Sequence, residues 1–351
     1  MSTILSLPNH WNPSHAADYT YSPDQLAVAN AAANYRDQFG LTAAASDSFK
    51  LHLLLIDVQK DFCFPQGSLY VGGRTGTGAI DDNRRIAEFI YHNLEVITQI
   101  TTTLDTHFAY QIFFPWFWQY EDGTQPPPHT VVTASDISTG HLTPNPAVAG
   151  LLVNGNYQWL LKQVEFYCQQ LEAAGKYQLY LWPPHCLLGS DGHALAGVIH
   201  EARLFHSFAR FAQSLSEIKG SNPLTENYSV LRPEVLERWD HQRALAQKNT
   251  NFLETLLKAD ALVIAGQASS HCVKSSIDDI LEEVMTRDPG LAAKIYILSD
   301  GMSSVTVPDG NGGFIADFTD QAEAALKRFQ SAGMHVVDTQ TPIGDWPDIG
   351  L

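Results

Sequence analysis

Two short runs of almost unbroken apolar residues, 51–57 (LHLLLID) and 261–265 (ALVIA), stand out from a chain whose apolar positions are otherwise spaced. Runs of this length, apolar at every position rather than alternate ones, predict strands buried on both faces, as in a parallel sheet. After the first run the spacing becomes helical. Asp81-Asp82-Asn83 opens an amphipathic segment with Ile86, Phe89, Ile90, Leu94 and Ile97, and a strand at 101–104 follows, ending in Asp105-Thr106-His107. Strand, helix and strand in that order make a βαβ unit. Farther on, helical spacing covers about 194–213, 241–258 and 318–332, a helix begins near His271, and 295–298 and 335–337 read as strands. The expected class is a three-layer α/β/α fold, with an open, mostly parallel central sheet and helices on both faces. In such sheets ligands bind at the carboxyl ends of the strands. Four predicted strand ends carry reactive groups: Asp57, Asp105 with His107, the segment WPPHC at 182–186, and 266–272 ending in Cys272.

The rest of the chain breaks this alternation. Residues 1–21 form an irregular arm; then Ser22 as N-cap and Pro23 at the first helical position start an Ala-rich helix that stops at Gly40. From 108 to about 155 come an aromatic run (FFPWFWQY), three consecutive prolines and many Thr, Ser, Asn and Gly. A helix over 157–174, ending at Gly175, and a strand over 177–181 follow. Residues 1–48 are therefore read as an arm with one helix, 49–340 as a single domain interrupted by an insert at about 108–176, and 341–351 as a tail.

With 38 acidic against 21 basic residues the formal charge is −17, which argues against nucleic acid or an anionic membrane surface as a partner. At 44 % hydrophobic, the chain can bury a full core. It has no apolar stretch of membrane-spanning length (about 18 residues or more). Its first residues, MSTILSLPNHWNPSHAADY, lack the basic and apolar regions of a signal peptide. Four cysteines in 351 residues make no disulfide framework, so reduced thiols in the cytoplasm are expected.

Cys272 follows a buried strand through the turn GQASSH and begins a helix. There the helix dipole and free amides favour a thiolate, and backbone N–H groups can hold an oxyanion. A buried structural cysteine would fit the same position. Asp57, leaving the first strand in DVQKDF, suits either a cap for the next turn or a general base, and Asp61 suits a hydrogen-bonding carboxylate. In Asp105-Thr106-His107 the side chains at i and i+2 share one face, and His185 is expected from a neighbouring strand end. One Asp and two His with open positions suit Zn²⁺, Fe²⁺ or Mn²⁺, although among 14 histidines such a pair also arises by chance.

Five segments, LLLIDVQKDFCFPQGSL, LDTH, WPPHCLLGSDGHAL, IKGSNPLTENYS and IAGQASSHCV, occur in an order and at spacings that resemble the isochorismatase-like cysteine hydrolases, and within them the nicotinamidases. The resemblance covers 51–107 and about 180–340. It implies the isochorismatase-like hydrolase fold and a triad of Asp57, Lys219 and Cys272. It also implies a site for one divalent metal ion (Zn, Fe or Mn) on Asp105, His107 and His185. A substrate ring would lie between Phe62 and Trp182 with Tyr228 nearby, and the amides of Ala268 and Cys272 would form the oxyanion hole. The Gln267–Ala268 peptide is expected to be cis. Lys219, otherwise read as a solvated lysine, gains the task of lowering the thiol pKa and balancing Asp57. Cys186 and His271 are read as structural, and Cys63 and Cys168 carry no assigned chemistry.

The activity this implies is hydrolysis of a small amide, nicotinamide to nicotinate and ammonia, by a cytoplasmic homo-oligomer. Two other readings stay open: a related C–N hydrolase acting on a ureide or other small amide, and a catalytically silent binding or assembly protein on the same scaffold. The chain departs from the nicotinamidase pattern at Thr106, where an aromatic is usual. It also lacks the further histidine often found just downstream, where Phe113 and Phe114 stand; His129 or His141 would replace it only if the insert folds back. The aromatic run itself (Phe113, Phe114, Trp116, Phe117, Trp118) is read as the core of the insert, an oligomer contact or a lid.

Overall fold

The two apolar runs lie side by side at the centre of one sheet in the computed structural model, which describes residues 4–175 and 177–351. Six strands form that sheet: β1 (Leu51–Ile56), β2 (Ile97–Asp105), β3 (Leu215–Lys219), β4 (Ala261–Gly266), β5 (Ile295–Leu298) and β6 (His335–Val337). Their order is β6-β5-β4-β1-β2-β3, and every neighbouring pair is parallel.

Every residue of β1 and β4 is buried, because successive side chains feed two opposite cores. Leu51, Leu53 and Leu55 face a core shared with α1 (Gln25–Phe39), α2 (Gly78–His92), α3 (Tyr157–Ala174) and α4 (Gly197–Arg210). Leu54 and Ile56 face one shared with α5 (Thr250–Leu257), α6 (Cys272–Arg287) and α7 (Thr319–Ser331). The expected three layers are present. Among the described residues no helix is long and apolar enough to cross a membrane.

Several local expectations change. The N-cap of α1 is Asp24, not Ser22, and its side chain accepts from the Leu26 and Ala27 amides. α2 begins at Gly78, ahead of the Asp81-Asp82-Asn83 cluster, and α5 fills only the end of the 241–258 segment. In 177–181 the strand is only Leu179–Tyr180, and it pairs with Val131–Val132 of the insert instead of joining the sheet. Two prolines follow at 183 and 184, and proline has no N–H to extend a ladder. Finally, β3 carries no burial signal because it is an edge strand whose Leu215 and Ile218 are 42 % and 61 % exposed.

In the insert, Phe113, Phe114, Phe117 and Trp118 are buried, so that part of the aromatic run is core. Trp118–Tyr120 pairs with Leu142–Pro144, and α3 is capped by Asn156 and closed by a left-handed Gly175.

Candidate active site

Parallel pairing in register brings the carboxyl ends of β1, β2 and β3 together, and with them Asp57, Asp105 and Lys219. Asp105 and Lys219 are direct partners in the β2–β3 ladder. β4 ends at Gly266, where φ is +121° and a Cβ would lie 2.1 Å from the Ile56 carbonyl oxygen. Only glycine lets β4 pass this close to β1. The turn that follows contains the Gln267–Ala268 peptide, which is cis, and delivers Cys272 as the first residue of α6.

Lys219 Nζ lies 2.9 Å from Asp57 Oδ2, 3.0 Å from Asp105 Oδ1 and 3.6 Å from Cys272 Sγ, and donates to the Asn227 carbonyl at 2.9 Å. Asp57 is fully buried; its N–H donates to Thr103 Oγ1 at 2.9 Å, and its Oδ1 accepts from that hydroxyl. Burial pushes the Asp57 carboxyl up despite the pull of Lys219, and Asp105 adds to the push. Burial also pushes the Cys272 thiol well above its ordinary value, with Lys219 opposing and the two carboxylates reinforcing. Burial works against the charge of Lys219, but Asp105 and Asp57 hold it well above the usual lysine range. Lys219 does pull the thiol down, but desolvation and the two carboxylates outweigh it.

The ligand atoms of Asp105, His107 and His185, all buried, lie within 4.8 Å of one another. His107 Nδ1 is 3.1 Å from the Gly220 carbonyl, and His185 Nδ1 is 2.7 Å from the Pro183 carbonyl. A carbonyl only accepts, so each Nδ1 donates to it and each Nε2 is turned inward. The two Nε2 atoms lie 2.9 and 3.8 Å from Asp105 Oδ2. One carboxylate and two imidazole nitrogens converging at these distances fit a divalent cation, and the Nδ1–carbonyl bonds fix both imidazoles for ligation. His185 arrives from a loop instead of a strand end. Asp61 anchors that loop, accepting the Cys186 N–H at 2.7 Å and the Ser68 N–H at 3.0 Å. Phe113 and Phe114 stand edge-on to His107, with centroids 4.8 and 5.6 Å away. His129 bonds Tyr180 and His141 packs beside Tyr120, so neither joins the cluster.

Asp105, His107, His185 and Cys272 line a pocket together with Phe62, Phe113, Trp182 and Tyr228. The Ala268 and Cys272 amides face no backbone carbonyl partner among the described residues. His271 also lines the pocket; its Nδ1 is 2.8 Å from Ser270 Oγ, and burial lowers it to about 4. Two residues escaped the sequence reading. Gln59 clamps β2 through both Asp105 backbone groups, at 2.7 and 2.8 Å, and Glu226 lines the pocket wall.

No family model matches the chain. A curated relative, the nicotinamidase of Escherichia coli, is 27 % identical over 129 residues, which is 36 % of this chain and 47 % of that protein. The match thus spans about half the relative's length. Among solved structures, the yeast nicotinamidase bound to the inhibitor nicotinaldehyde matches with a TM-score of 0.50 and 17 % identity, over 82 % of this chain and 99 % of that one. The fold is isochorismatase-like. A second structure of the yeast nicotinamidase has a TM-score of 0.49 and 18 % identity over the same shares. In this isochorismatase-like sheet, β1 to β3 supply Asp57, Asp105 and Lys219, and the turn after β4 supplies Cys272.

Proposed function

We propose that the protein is a metal-dependent cysteine amidohydrolase that converts nicotinamide to nicotinate and ammonia. The observation that carries this reading is the meeting of the Asp57–Lys219–Cys272 cluster, whose Cys272 lines an aromatic-walled pocket, with Asp105, His107 and His185 in the wall of the same pocket. Asp105, His107 and His185 would hold one Zn²⁺, Fe²⁺ or Mn²⁺ ion, a Lewis acid suited to the lone pair of a pyridine nitrogen.

Asp57 takes the proton of the neutral Cys272 thiol as sulfur attacks the amide carbon, and the Ala268 and Cys272 amides receive the oxyanion. Lys219 stays charged throughout and offsets Asp57. Asp57 then returns the proton to the nitrogen, the C–N bond breaks, ammonia leaves and a thioester remains. In the second half Asp57 takes a proton from water, hydroxide adds to the thioester, and sulfur departs and regains the proton. Phe62, Trp182 and Tyr228 flank the ring. The four free, buried cysteines support a reducing compartment, the cytoplasm, as the place of action.

The test is ammonia release from nicotinamide, pyrazinamide, a ureide and an aliphatic amide, on metal-analysed protein, beside Cys272→Ala. Wild type is expected to turn over nicotinamide, and the variant to fold normally with no turnover. Activity in Cys272→Ala, or strong turnover of the ureide with none of nicotinamide, overturns the proposal.

A further inference from the structure

Glu226 is buried and lines the pocket, yet no step above uses it. It lies in a chain of hydrogen bonds that starts in the pocket wall and ends in the insert. The Trp182 indole N–H donates to Tyr228 Oη at 2.8 Å, and the Tyr228 hydroxyl donates to Glu226 Oε1 at 2.8 Å. From α3, the Tyr167 hydroxyl donates to Glu226 Oε2 at 2.9 Å, while the Glu226 N–H donates to Tyr167 Oη at 3.0 Å. Each phenol oxygen therefore accepts one bond and donates another, which fixes both rings. The insert also grips Trp182 by its backbone, because the Phe113 carbonyl accepts the Trp182 N–H at 2.9 Å. One residue earlier, the Leu181 N–H donates to the Thr130 carbonyl at 2.9 Å.

We infer that Glu226 is a positioning residue, which ties the Trp182–Tyr228 wall to the insert helix α3 and thereby shapes the pocket for a flat aromatic amide. The inference rests on the amidase reading above. Aromatic contacts alone leave a wall free to slide, whereas a buried, fully bonded polar chain sets one arrangement. Glu226 is hydrogen-bonded to the wall and not to Asp57, Lys219 or Cys272, so its loss acts on substrate binding more than on the chemical step.

Steady-state kinetics on nicotinamide with Glu226→Gln, Tyr167→Phe and the double variant test this, with thermal melting alongside. Losing one such bond is expected to raise KM about threefold to tenfold, while kcat stays within about twofold. Because both side chains belong to one chain of bonds, the double variant should be no worse than the worse single. Unchanged KM in both single variants, or kcat falling in step with the melting temperature, overturns the inference. If Glu226→Gln does not fold, Tyr167→Phe, which removes one hydroxyl, decides alone. A wild type inactive on nicotinamide sinks the amidase reading and this one together, whereas an active wild type whose variants keep its KM sinks this inference only.

Discussion

Lys219 is followed by a glycine whose reason lies across the cluster. Gly220 has φ +82°, and a Cβ there would come within 2.6 Å of both Asp105 Oδ1 and His107 Cε1. Its carbonyl also faces His107 Nδ1 and accepts from Gln111 Nε2 at 3.1 Å. Gly220→Ala is therefore expected to displace two of the three acceptors and to leave the purified protein with well under one bound divalent ion. Elemental analysis showing one metal per chain in that variant would refute the argument. The sequence shows some of these residues plainly and others not at all. Asp57 and Cys272 are visible because each closes or follows an apolar run, Asp105 because it ends the second strand of a βαβ unit, and His107 through its i+2 spacing from Asp105. Lys219 emerges only through the family resemblance, since nothing around an edge-strand lysine marks it as buried. Gln59 and Glu226 have no local signature, because Asp105 and Tyr167, which they hold, lie 46 and 59 residues away along the chain.

At the scale of elements, the apolar runs locate β1 and β4, and helical spacing locates α3 and its Gly175 stop, because full burial and regular amphipathicity both leave a pattern. β3 and the 177–181 segment fail for opposite reasons. β3 has its apolar side chains in solvent, whereas 177–181 looks strand-like but finds its partner in the insert. The contact between β1 and β4 makes its own demand at Gly266. An alanine there would need both an unfavourable φ and a shift of the Ile56 carbonyl, a combination worth roughly 2 kcal/mol or more. Gly266→Ala should accordingly lower the denaturation midpoint and, by moving the turn before Cys272, reduce kcat. A midpoint equal to wild type would show that the two strands can separate freely.

Across the whole molecule, buried titratable groups set how stability responds to pH. His52 and His206 are pushed down to about 4 by burial, from an ordinary 6.5. Their contribution is complete above pH 6.5 and is lost as pH falls toward 4, on the order of 3 kcal/mol each. Glu226 runs the other way. Burial raises it to about 8 from 4.5, so its contribution is complete below pH 4.5 and is lost as pH rises through 8. Urea unfolding should therefore show stability declining from about pH 6.5 to 8, and Glu226→Gln should flatten that limb. Parallel limbs in the two proteins would remove Glu226 from the account. The same seclusion governs the sulfur chemistry. Cys63 is pushed up to about 12, Cys168, Cys186 and Cys272 are raised as well, and all four are buried. Since thiolates are what alkylating agents and peroxides attack, labelling of the folded chain by a generic alkylating agent should be slow at all four cysteines. If the proposed amidase reading holds, a covalent inhibitor of Cys272 would have to imitate the amide closely enough to engage Asp57 as it binds.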